Sequence, residues 1–445
     1  MDNSDTPGEE ALFTESDRDG LPGSEPIDSM NRLNVFQQKA RFQTGLEKIL
    51  AYNAFYQDKL KQARIESAGQ IQNWEDYRRL PFTTKEELTA DQTDHPPYGR
   101  NLTFPVSHYT RIHQTSGTTG APLRWLDDTD SWNWWGKCWT DVYASTGVTT
   151  EDRIFFAFSF GPFIGFWSAY EGAQQLGGLG IPGGGMTSLQ RLRAILANQV
   201  TVLVCTPTYA LHLAEVAREA EIDIARSSVR VTIHAGEPGA SLPATNQRIA
   251  EAWGVTCYDH TGATEVGAWG FMCQAQDGVH LNEDEFIFEV VDPNDPNTET
   301  DEGELVVSNL GRTGTPVIRY RTGDYVQLNR SPCSCGGTSP RIDGGIIGRI
   351  DDLLIIRGVN LYPSAIENLI RSFPDIDEFA VSVQQNQEMD EIEIQIEGAE
   401  STAKTVQNTF RERFGLRTVV KTVAAGTLPR YELKARRFID HRGQS

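Results

Sequence analysis

Short apolar runs recur along the chain at two different spacings. Between residues 30 and 65, apolar positions follow one another about a helical turn apart, which predicts an amphipathic helical region. From about 108 to 345, apolar runs alternate with glycine-rich turns, and the runs at 154–160, 200–206 and 229–236 are typical of buried strands. Strands alternating with helical stretches predict an α/β fold with parallel sheets covered by helices.

The pattern changes twice in the second half of the chain. Residues 303–328 alternate in the way expected of an antiparallel, β-rich patch, and from Gly348 onward the elements become those of a small α+β unit. We expect in this unit a helix at 363–372, strands at 378–385, 391–398 and 417–423, a helix at 402–414 and a basic terminal helix. The predicted division is an acidic disordered tail (1–29), a large domain (30–347), a hinge (348–352) and a small domain (353–445).

Composition narrows the class of protein. At 445 residues the chain is too long for one ordinary core, and no apolar run reaches the 18 residues expected of a membrane-spanning helix. The net charge of −21 argues against nucleic acid or an anionic membrane as a partner. Residues 1–30 carry nine acidic residues against one Arg, which predicts a disordered segment. With no such apolar run and no secretory signal pattern at the N-terminus, a cytoplasmic location is the default expectation. The six cysteines are too few for a disulfide framework and would stay reduced there.

The strongest local motif runs from Thr115 to Gly120. Hydroxyl residues and glycines at this density leave backbone N–H groups free to approach phosphate oxygens. The Gly-Lys-Ser/Thr ending of a Walker loop is absent from this motif. The alternative interpretation is an ordinary polar turn.

Two further motifs place a carboxylate after a glycine turn. In Thr261–Glu265 the glutamate would hold Mg²⁺ on nucleotide phosphates, although a helix cap has the same appearance. In Arg321–Asp324 the aspartate would accept hydrogen bonds from ribose hydroxyls, although an Asx turn is the plainer alternative.

Three motifs lie in the last hundred residues. They are Gly348-Arg349-Ile350-Asp351-Asp352, then Arg357-Gly358-Val359-Asn360, and finally Leu428-Pro429-Arg430-Tyr431-Glu432-Leu433-Lys434. Taken in order and spacing with the motifs before them, they resemble those of the adenylate-forming superfamily of acyl-CoA synthetases, and within it the phenylacetate–CoA ligase family. The resemblance covers residues from about 30 to about 440.

The resemblance implies a large domain that binds ATP and a carboxylic acid, and a small mobile domain. The matching nucleotide-binding positions are Ser116, Gly117, Thr118, Thr119 and Gly120 for the phosphates, Gly236, Glu237, Pro238, Asp259, His260, Thr261 and Gly262 for the adenine, and Asp324 and Arg349 for the ribose. Glu265 would bind Mg²⁺ and Lys434 would stabilise the charge that gathers at the α-phosphate. Asp351 would be the hinge, and Arg357 and Gly358 would face coenzyme A. A homodimer is also implied.

Two positions depart from the family pattern. The lysine that usually ends the phosphate loop is Ala121, and Arg124 is the nearby cation that would replace its charge. A bulky residue often follows Glu-Pro, but here the position is Gly239, which would widen the pocket.

A structural zinc site is a further hypothesis. Cys333 and Cys335 enclose one serine and precede two glycines, so their thiolates would meet one ion. Cys273 and His280 would complete a closed, tetrahedral Cys₃His set, and some members that resemble this family carry such a zinc.

Two other interpretations of these residues stay open. A rival ligand set takes Cys257 and His260 in place of Cys273 and His280, but His260 is expected beside the nucleotide. Alternatively, Cys257 and Cys273 are simply small buried apolar residues.

Aromatic residues crowd the stretch 156–170, as expected of a pocket for an aromatic acid. Most of them would belong to the core, and strand alternation leaves Phe160, Phe163 and Trp167 to face a ligand.

The sequence therefore predicts an ATP- and Mg²⁺-dependent ligase that adenylates an aryl or arylacetic acid and passes the acyl group to coenzyme A. The alternatives are an enzyme that uses an amine or a carrier-protein thiol as acceptor, one that leaves an adenylated product, and a non-catalytic homologue.

Overall fold

The computed structural model describes residues 36–115, 122–386, 389–431 and 435–442. Their α-helices are α1 (Phe36–Tyr52), α2 (Ala54–Gln62), α3 (Trp74–Arg78), α4 (Lys85–Asp94), α5 (Thr129–Ser145), α6 (Ile164–Leu176), α7 (Ser188–Ala197), α8 (Pro207–Glu219), α9 (Pro243–Trp253), α10 (Pro363–Arg371) and α11 (Glu400–Phe414). Among the described helices, none combines the length and apolar composition needed to cross a membrane. The predicted disordered segment lies outside the described residues.

The strands divide into a large set and a small set. Those before residue 350 are β1 (Tyr109–Gln114), β2 (Arg124–Asp128), β3 (Arg153–Phe156), β4 (Leu179–Pro182), β5 (Val202–Cys205), β6 (Val231–His234), β7 (Thr256–Ala263), β8 (Gly267–Met272), β9 (Val279–Leu281), β10 (Phe286–Val291), β11 (Glu302–Asn309), β12 (Tyr320–Asn329), β13 (Arg341–Ile342) and β14 (Gly348–Arg349). Those that follow are β15 (Leu354–Ile356), β16 (Val359–Leu361), β17 (Phe379–Asn386), β18 (Met389–Glu397), β19 (Thr418–Val423) and β20 (Phe438–Asp440).

One large sheet organises the first part of the chain. Its order is β10-β11-β12-β13-β9-β8-β7-β6-β5-β3-β4, with β14 paired to β12. The neighbouring strands β4, β3, β5, β6 and β7 run parallel to one another. From β7 onward, each pair of neighbours in the order β7-β8-β9-β13-β12-β11-β10 is antiparallel. The predicted α/β class, with parallel strands and an antiparallel patch, is therefore confirmed.

Helices cover both faces of the parallel strands, and the strand residues alternate between two apolar cores. Val202 and Val204 of β5 pack with the core that contains Trp139 of α5, whereas Leu203 and Cys205 pack with Leu213 and Trp253 of α8 and α9. Because both faces are buried, β5 has no polar position in its sequence, as its apolar run indicated.

The predicted helical region near the start is two helices. Asn53 separates α1 from α2, and its side chain accepts a hydrogen bond from the Tyr56 amide at 3.1 Å. The second helix therefore has its own N-cap, which a purely apolar pattern does not reveal.

The small α+β unit contains the sheet β19-β18-β17-β20, helices α10 and α11, and a separate apolar core. The prediction of a basic terminal helix is wrong, because residues 438–440 form β20, parallel to β17. Without β20, this edge of β17 would present unpaired main-chain groups. In the structure the Val381 amide donates to the Arg437 carbonyl at 2.7 Å. Pairing on this edge satisfies groups that a short helix would have left exposed.

Candidate active site

The carboxyl ends of the parallel strands meet along one edge of the large sheet. His234 at the end of β6 is in register with Asp259 in β7, so the segments 236–238 and 259–262 lie side by side. Open α/β sheets bind ligands in the crevice at this edge. The structure therefore brings together the two segments that we expected around adenine.

The Gly236-Glu237-Pro238 segment is tied to its neighbours through the glutamate side chain. Glu237 Oε1 accepts a hydrogen bond from the Thr208 amide, and Glu237 Oε2 accepts one from the Ala435 amide, both at 2.9 Å. Sequence reasoning gave this segment a backbone role and did not anticipate these side-chain contacts.

Gly239 is explained by close packing. A Cβ at this position would lie 2.5 Å from the Pro207 Cβ at the start of α8. The expectation that Gly239 widens the pocket is therefore wrong, because the space that its missing side chain leaves is filled by Pro207.

Asp259 and His260 are buried groups with perturbed pKa values. Burial raises the pKa of Asp259 to about 6, although Ser241 donates its hydroxyl and its amide to Asp259 Oδ2. Burial lowers the pKa of His260 to about 4, so the ring is neutral near pH 7. The His260 ring lies 4.3 Å from the Trp139 ring, centroid to centroid.

Glu265 lies in a loop whose main chain is hydrogen-bonded to a buried ion pair. Arg312 binds both carboxylate oxygens of Asp127, at 2.7 and 2.8 Å, and donates to the carbonyls of Thr264 and Glu265 at 2.7 and 3.2 Å. Burial would raise the pKa of Asp127, but Arg312 and His113 outweigh it and keep the pKa below its ordinary value. Asp127 and Arg312 lie 185 residues apart in the chain, so no local sequence signal connects them.

The predicted ribose-binding pair is formed. Asp324 and Arg349 are in register on β12 and β14, and Arg349 Nη1 lies 3.4 Å from Asp324 Oδ1. Arg349 also donates to Asp351 at 3.0 Å, which lies in the 3₁₀ turn Ile350–Asp352. Burial raises the pKa of Tyr320, and the carboxylates of Glu265 and Asp324 raise it further. Tyr320 was not anticipated.

Arg357 and Gly358 form the tight turn between β15 and β16. Their φ angles are +51° and +81°, and Ile356 pairs with Val359, as in a two-residue hairpin. Arg357 donates to the Asp390 carbonyl at 3.0 Å, within the small unit.

The predicted phosphate loop and lysine lie outside the described residues. These positions are Ser116, Gly117, Thr118, Thr119, Gly120, Ala121 and Lys434. At the base of the loop, the Thr115 amide donates to the Leu123 carbonyl at 3.0 Å. Arg124, the suggested replacement for the usual lysine, donates to the Pro97 carbonyl at 3.0 Å. Its guanidinium is therefore already engaged with the loop after α4.

The aromatic stretch divides into core and accessible residues. Phe156 and Phe158 are buried, whereas Phe160 and Phe163 are half-buried and Trp167 is 38% exposed. The rings of Phe160 and Trp167 lie 4.8 Å apart, edge to face. Phe166 and Tyr170 are half-buried as well, so exposure alone does not single out the three residues that were expected to face a ligand.

The four predicted zinc ligands converge. The ligand atoms of Cys273, His280, Cys333 and Cys335 all lie within 4.8 Å of one another. The Sγ atoms of Cys273 and Cys333 are 3.7 Å apart, and Cys335 Sγ is 3.6 Å from His280 Nε2. A zinc tetrahedron with Zn–S of about 2.3 Å and Zn–N of about 2.0–2.1 Å has edges of about 3.8 and 3.6 Å, so the donor set fits this ion.

The surroundings of the cysteines favour the same set. His280 Nδ1 lies 3.1 Å from the Ser339 hydroxyl, which leaves Nε2 directed at the sulfurs. By contrast, His260 Nδ1 is hydrogen-bonded to the Gly270 carbonyl, and Cys257 lies outside the cluster.

Known proteins match both parts of the chain. Residues 358–442 match the model of the AMP-binding enzyme C-terminal domain. The phenylacetate–coenzyme A ligase of Thermus thermophilus is 32% identical over 366 residues, which are 80% of this chain and 80% of that relative.

Two solved structures of a 2-hydroxyisobutyryl-CoA ligase are also similar. Its postadenylation state with R3-HIB-AMP has a TM-score of 0.86 at 28% identity and covers 96% of this chain and 95% of that one. Its thioesterification state with 2-HIB-AMP and CoA has a TM-score of 0.69 at 29% identity, covering 97% and 96%. By its similarity to the Thermus thermophilus enzyme over most of its length, the chain belongs to the phenylacetate–coenzyme A ligase family of adenylate-forming enzymes.

Proposed function

We propose that this protein is an AMP-forming acid–CoA ligase that acts on an aryl or arylacetic acid. In the first step the carboxylate attacks the α-phosphorus of ATP, which forms an acyl-adenylate and releases pyrophosphate. In the second step the thiol of coenzyme A loses its proton and attacks the acyl carbon, and AMP leaves. The products of the cycle are the acyl-CoA thioester, AMP and pyrophosphate.

The observation that carries the proposal is the convergence of the predicted nucleotide segments. The segments 236–238 and 259–262 lie at the carboxyl edge of the parallel strands, and the Asp324–Arg349 pair lies at the start of the predicted hinge. The carboxylates of Glu265 and Asp324 both raise the pKa of Tyr320. An adenine, a ribose and a phosphate-bound cation would each find a recognition group there.

Each residue then has a defined role. Asp324 accepts hydrogen bonds from the ribose hydroxyls, with Arg349 orienting its carboxylate. Glu265 is the carboxylate for Mg²⁺, which would supply positive charge to the phosphates. Lys434 stabilises the charge that develops at the α-phosphate during attack. The backbone N–H groups and hydroxyls of residues 116–120 bind the phosphates.

The acid would bind beside the accessible aromatic residues. Phe160, Phe163 and Trp167 follow β3 at the same edge of the sheet as the nucleotide segments. Their rings offer edge and face contacts to an aromatic side chain. This location supports an aryl or arylacetic substrate over a short aliphatic one.

The remaining assignments concern architecture. We propose a large domain (30–347) and a small domain (353–445) joined by a hinge at 348–352 with Asp351 as the pivot. Rotation there would bring the Arg357–Gly358 turn to the active site for the second step. Zinc at the Cys₃His cluster would be structural, because four protein ligands leave no open position. A homodimer is proposed from the family resemblance.

The test is to incubate the protein with ATP, Mg²⁺, coenzyme A and a panel of aryl, arylacetic and short aliphatic acids, and to identify products by mass spectrometry. We expect an acyl-CoA thioester and AMP with an aromatic acid, and neither product with Lys434→Ala. Acyl-adenylate without thioester would instead favour an amine or carrier-protein acceptor. Absence of AMP with every acid would contradict the proposal.

A further inference from the structure

Gly348 leaves space beside an aromatic residue of the neighbouring strand. Gly348 of β14 is directly opposite Tyr325 of β12, and the Ile347 amide donates to the Tyr325 carbonyl at 3.0 Å. Side chains at opposite positions of an antiparallel pair normally pack against one another. Because Gly348 has no side chain, the space beside the Tyr325 ring is open to a residue from another segment.

Tyr362, from the segment that follows the predicted hinge, fills this space. A Cβ at Gly348 would lie 2.3 Å from Tyr362 Cδ1, well inside the favourable carbon–carbon separation of about 3.5–4.0 Å. The rings of Tyr362 and Tyr325 are stacked, with centroids 5.5 Å apart and planes inclined by 29°. Tyr362 therefore covers the glycine as an aromatic residue on an adjacent strand would. We call its packing on Gly348 and Tyr325 the Tyr362 contact.

The glycine is explained by this ring and not by its own backbone. The φ angle of Gly348 lies outside the left-handed region, so the backbone there would accept any residue. A second bond fixes the same place, because the buried Ser364 hydroxyl donates to the Ile347 carbonyl. Tyr362 and Ser364 flank Pro363, the first residue of α10. The start of α10 is thus attached to β14 through two side chains.

The Tyr362 contact lies beside the proposed nucleotide site. Asp324 and Arg349, the proposed ribose-binding pair, are the next opposite residues of the same two strands. In this arrangement Arg357 and Gly358 are exposed to solvent. The turn proposed to serve coenzyme A is therefore not packed against the large sheet, and we assign the arrangement to the first half-reaction.

Other contacts hold the small unit further from the predicted hinge. Helix α9 packs against α10, the Arg248 guanidinium donates to the Ile376 carbonyl at 2.9 Å, and the Ala244 amide donates to Asn368 at 3.3 Å. The Tyr362 contact lies next to the predicted pivot. A displacement of the ring there is enlarged at the far end of the small unit, so a small change at Gly348 disturbs the whole arrangement.

We propose that Tyr362 is a positioning residue, which by packing on Gly348 and Tyr325 holds the small unit in the arrangement for adenylation. The ring leaves Gly348 when the unit turns for the second half-reaction. The proposal rests on the proposed function, because it assigns the contact to one of its two steps. A side chain at position 348 disfavours the first arrangement and has no such conflict with the second.

The variants follow from the space around Gly348. Gly348→Ala places a methyl group where the Tyr362 ring lies, and Tyr362→Ala removes the ring. In Gly348→Ala/Tyr362→Ala the methyl group no longer meets the ring, and Tyr362→Phe keeps the ring without the hydroxyl. Gly69→Ala is the matched control, because a Cβ there is 3.8 Å from its nearest neighbour, the Ser67 hydroxyl oxygen.

The experiment measures the two half-reactions separately, with the aromatic acid that wild type adenylates fastest. Adenylation is followed as exchange of labelled pyrophosphate into ATP, and thioester formation as consumption of the supplied acyl-adenylate by coenzyme A. We expect kcat for exchange to fall about tenfold in Gly348→Ala, since the site is overpacked. It should fall about threefold in Tyr362→Ala, where one ring contact is lost.

The double variant decides whether the ring is the reason for the glycine. Because the two changes act on one contact, it should recover to the level of Tyr362→Ala, about threefold below wild type. Tyr362→Phe and Gly69→Ala should match wild type, and thioester formation should stay within about twofold in every variant. Equal loss of both half-reactions, a double variant more impaired than Gly348→Ala, or a raised KM for ATP in place of a lowered kcat would overturn the proposal.

Hydroxyl-radical labelling of the two tyrosines, read by mass spectrometry, needs no substrate. Gly348→Ala should increase the labelling of Tyr325 and Tyr362, because the methyl group displaces the ring, and Gly69→Ala should leave it unchanged. Unchanged labelling in Gly348→Ala would overturn the proposal. If wild type exchanges no pyrophosphate with any acid of the panel, the proposed function fails, while the labelling still decides whether Tyr362 packs on Gly348.

Discussion

The buried pair of Arg312 and Asp127 allows stability and catalysis to be separated. Both side chains are fully buried, and Arg312 also donates to the carbonyls of Thr264 and Glu265. Replacing Arg312 by Met leaves the Asp127 carboxylate without its cation in a dry environment. The double variant Arg312→Met/Asp127→Leu removes both charges at once.

The expected magnitudes differ between the two variants. Removing one partner of a buried ion pair costs about 3–5 kcal/mol, whereas replacing the pair by apolar side chains is often close to neutral. In the double variant the two carbonyls still lose their donor, which costs about 1–3 kcal/mol each if water does not replace it. Both variants lose the donor to the two carbonyls, so we expect Arg312→Met to be less stable than the double variant by about 3–5 kcal/mol.

The double variant should be more stable than Arg312→Met, but its rate of adenylation should not be higher. The loop that carries Glu265 loses its support in both variants, so adenylation should fall at least tenfold in each. Unfolding in urea is followed by tryptophan fluorescence, because all nine tryptophans lie between residues 74 and 269, the part of the chain that contains Asp127 and the Glu265 loop. Adenylation is measured at a temperature where every variant is folded.

The matched control is Arg319→Met. Arg319 forms the same bidentate pair with Glu289, with both N–O distances at 2.8 Å, and also donates to two main-chain carbonyls. It should lose similar stability but retain adenylation per folded molecule. If the double variant of Arg312 regains full adenylation, or if Arg312→Met loses less than about 1 kcal/mol, the argument is wrong.

Three further predictions concern other parts of the molecule. Cys335→Ser should lower the zinc content of the purified protein, measured by mass spectrometry of the metal, and its melting temperature. Adenylation by the folded enzyme should be unchanged. A zinc-free wild type as stable as the zinc-loaded wild type would contradict the site. Burial lowers the pKa of both His234 and His260 to about 4, so the unfolded chain takes up their protons between pH 6.5 and 4 and the folded chain does not. The raised pKa of Asp259 opposes this effect with one proton, and the free energy of unfolding should therefore fall by about 1.4 kcal/mol per pH unit on acidification from pH 6 to 5. His234→Gln should remove most of that dependence, and an unchanged slope in urea titrations would contradict the assignment. Trp167→Ala should raise KM for an aromatic acid by up to about tenfold in the thioester assay, and an equal rise for a short aliphatic acid would exclude an aromatic contact.

Local patterns were sufficient for the fold class and for sites made of short motifs. The apolar run at 200–206 predicted β5 because a strand buried on both faces has no polar position. Cys333 and Cys335 are separated by one residue, so their thiols were expected to lie close together. Cys273 directly follows β8 and His280 lies in the neighbouring strand β9, and both converge on them.

Contacts between distant segments could not be predicted in this way. Arg312 is 185 residues from Asp127, and Glu237 is 198 residues from Ala435, so neither pair leaves a periodic or spaced signal. Gly239 was misjudged for the same reason, because its partner Pro207 belongs to another segment. The terminal strand β20 was mistaken for a helix because the basic residues that flank it, Arg436, Arg437 and Arg442, occur beside a strand as readily as at the end of a helix. The roles of residues 116–120 and Lys434, and the domain division, remain predictions.

The measurement that tests the central claim most directly is acid-dependent exchange of labelled pyrophosphate into ATP in the absence of coenzyme A. An adenylate-forming ligase reverses its first step without the thiol, so we predict exchange that requires an aromatic acid and Mg²⁺ and is lost in Lys434→Ala. Exchange that is independent of the acid, or thioester formation accompanied by ADP and phosphate instead of AMP and pyrophosphate, would contradict the account.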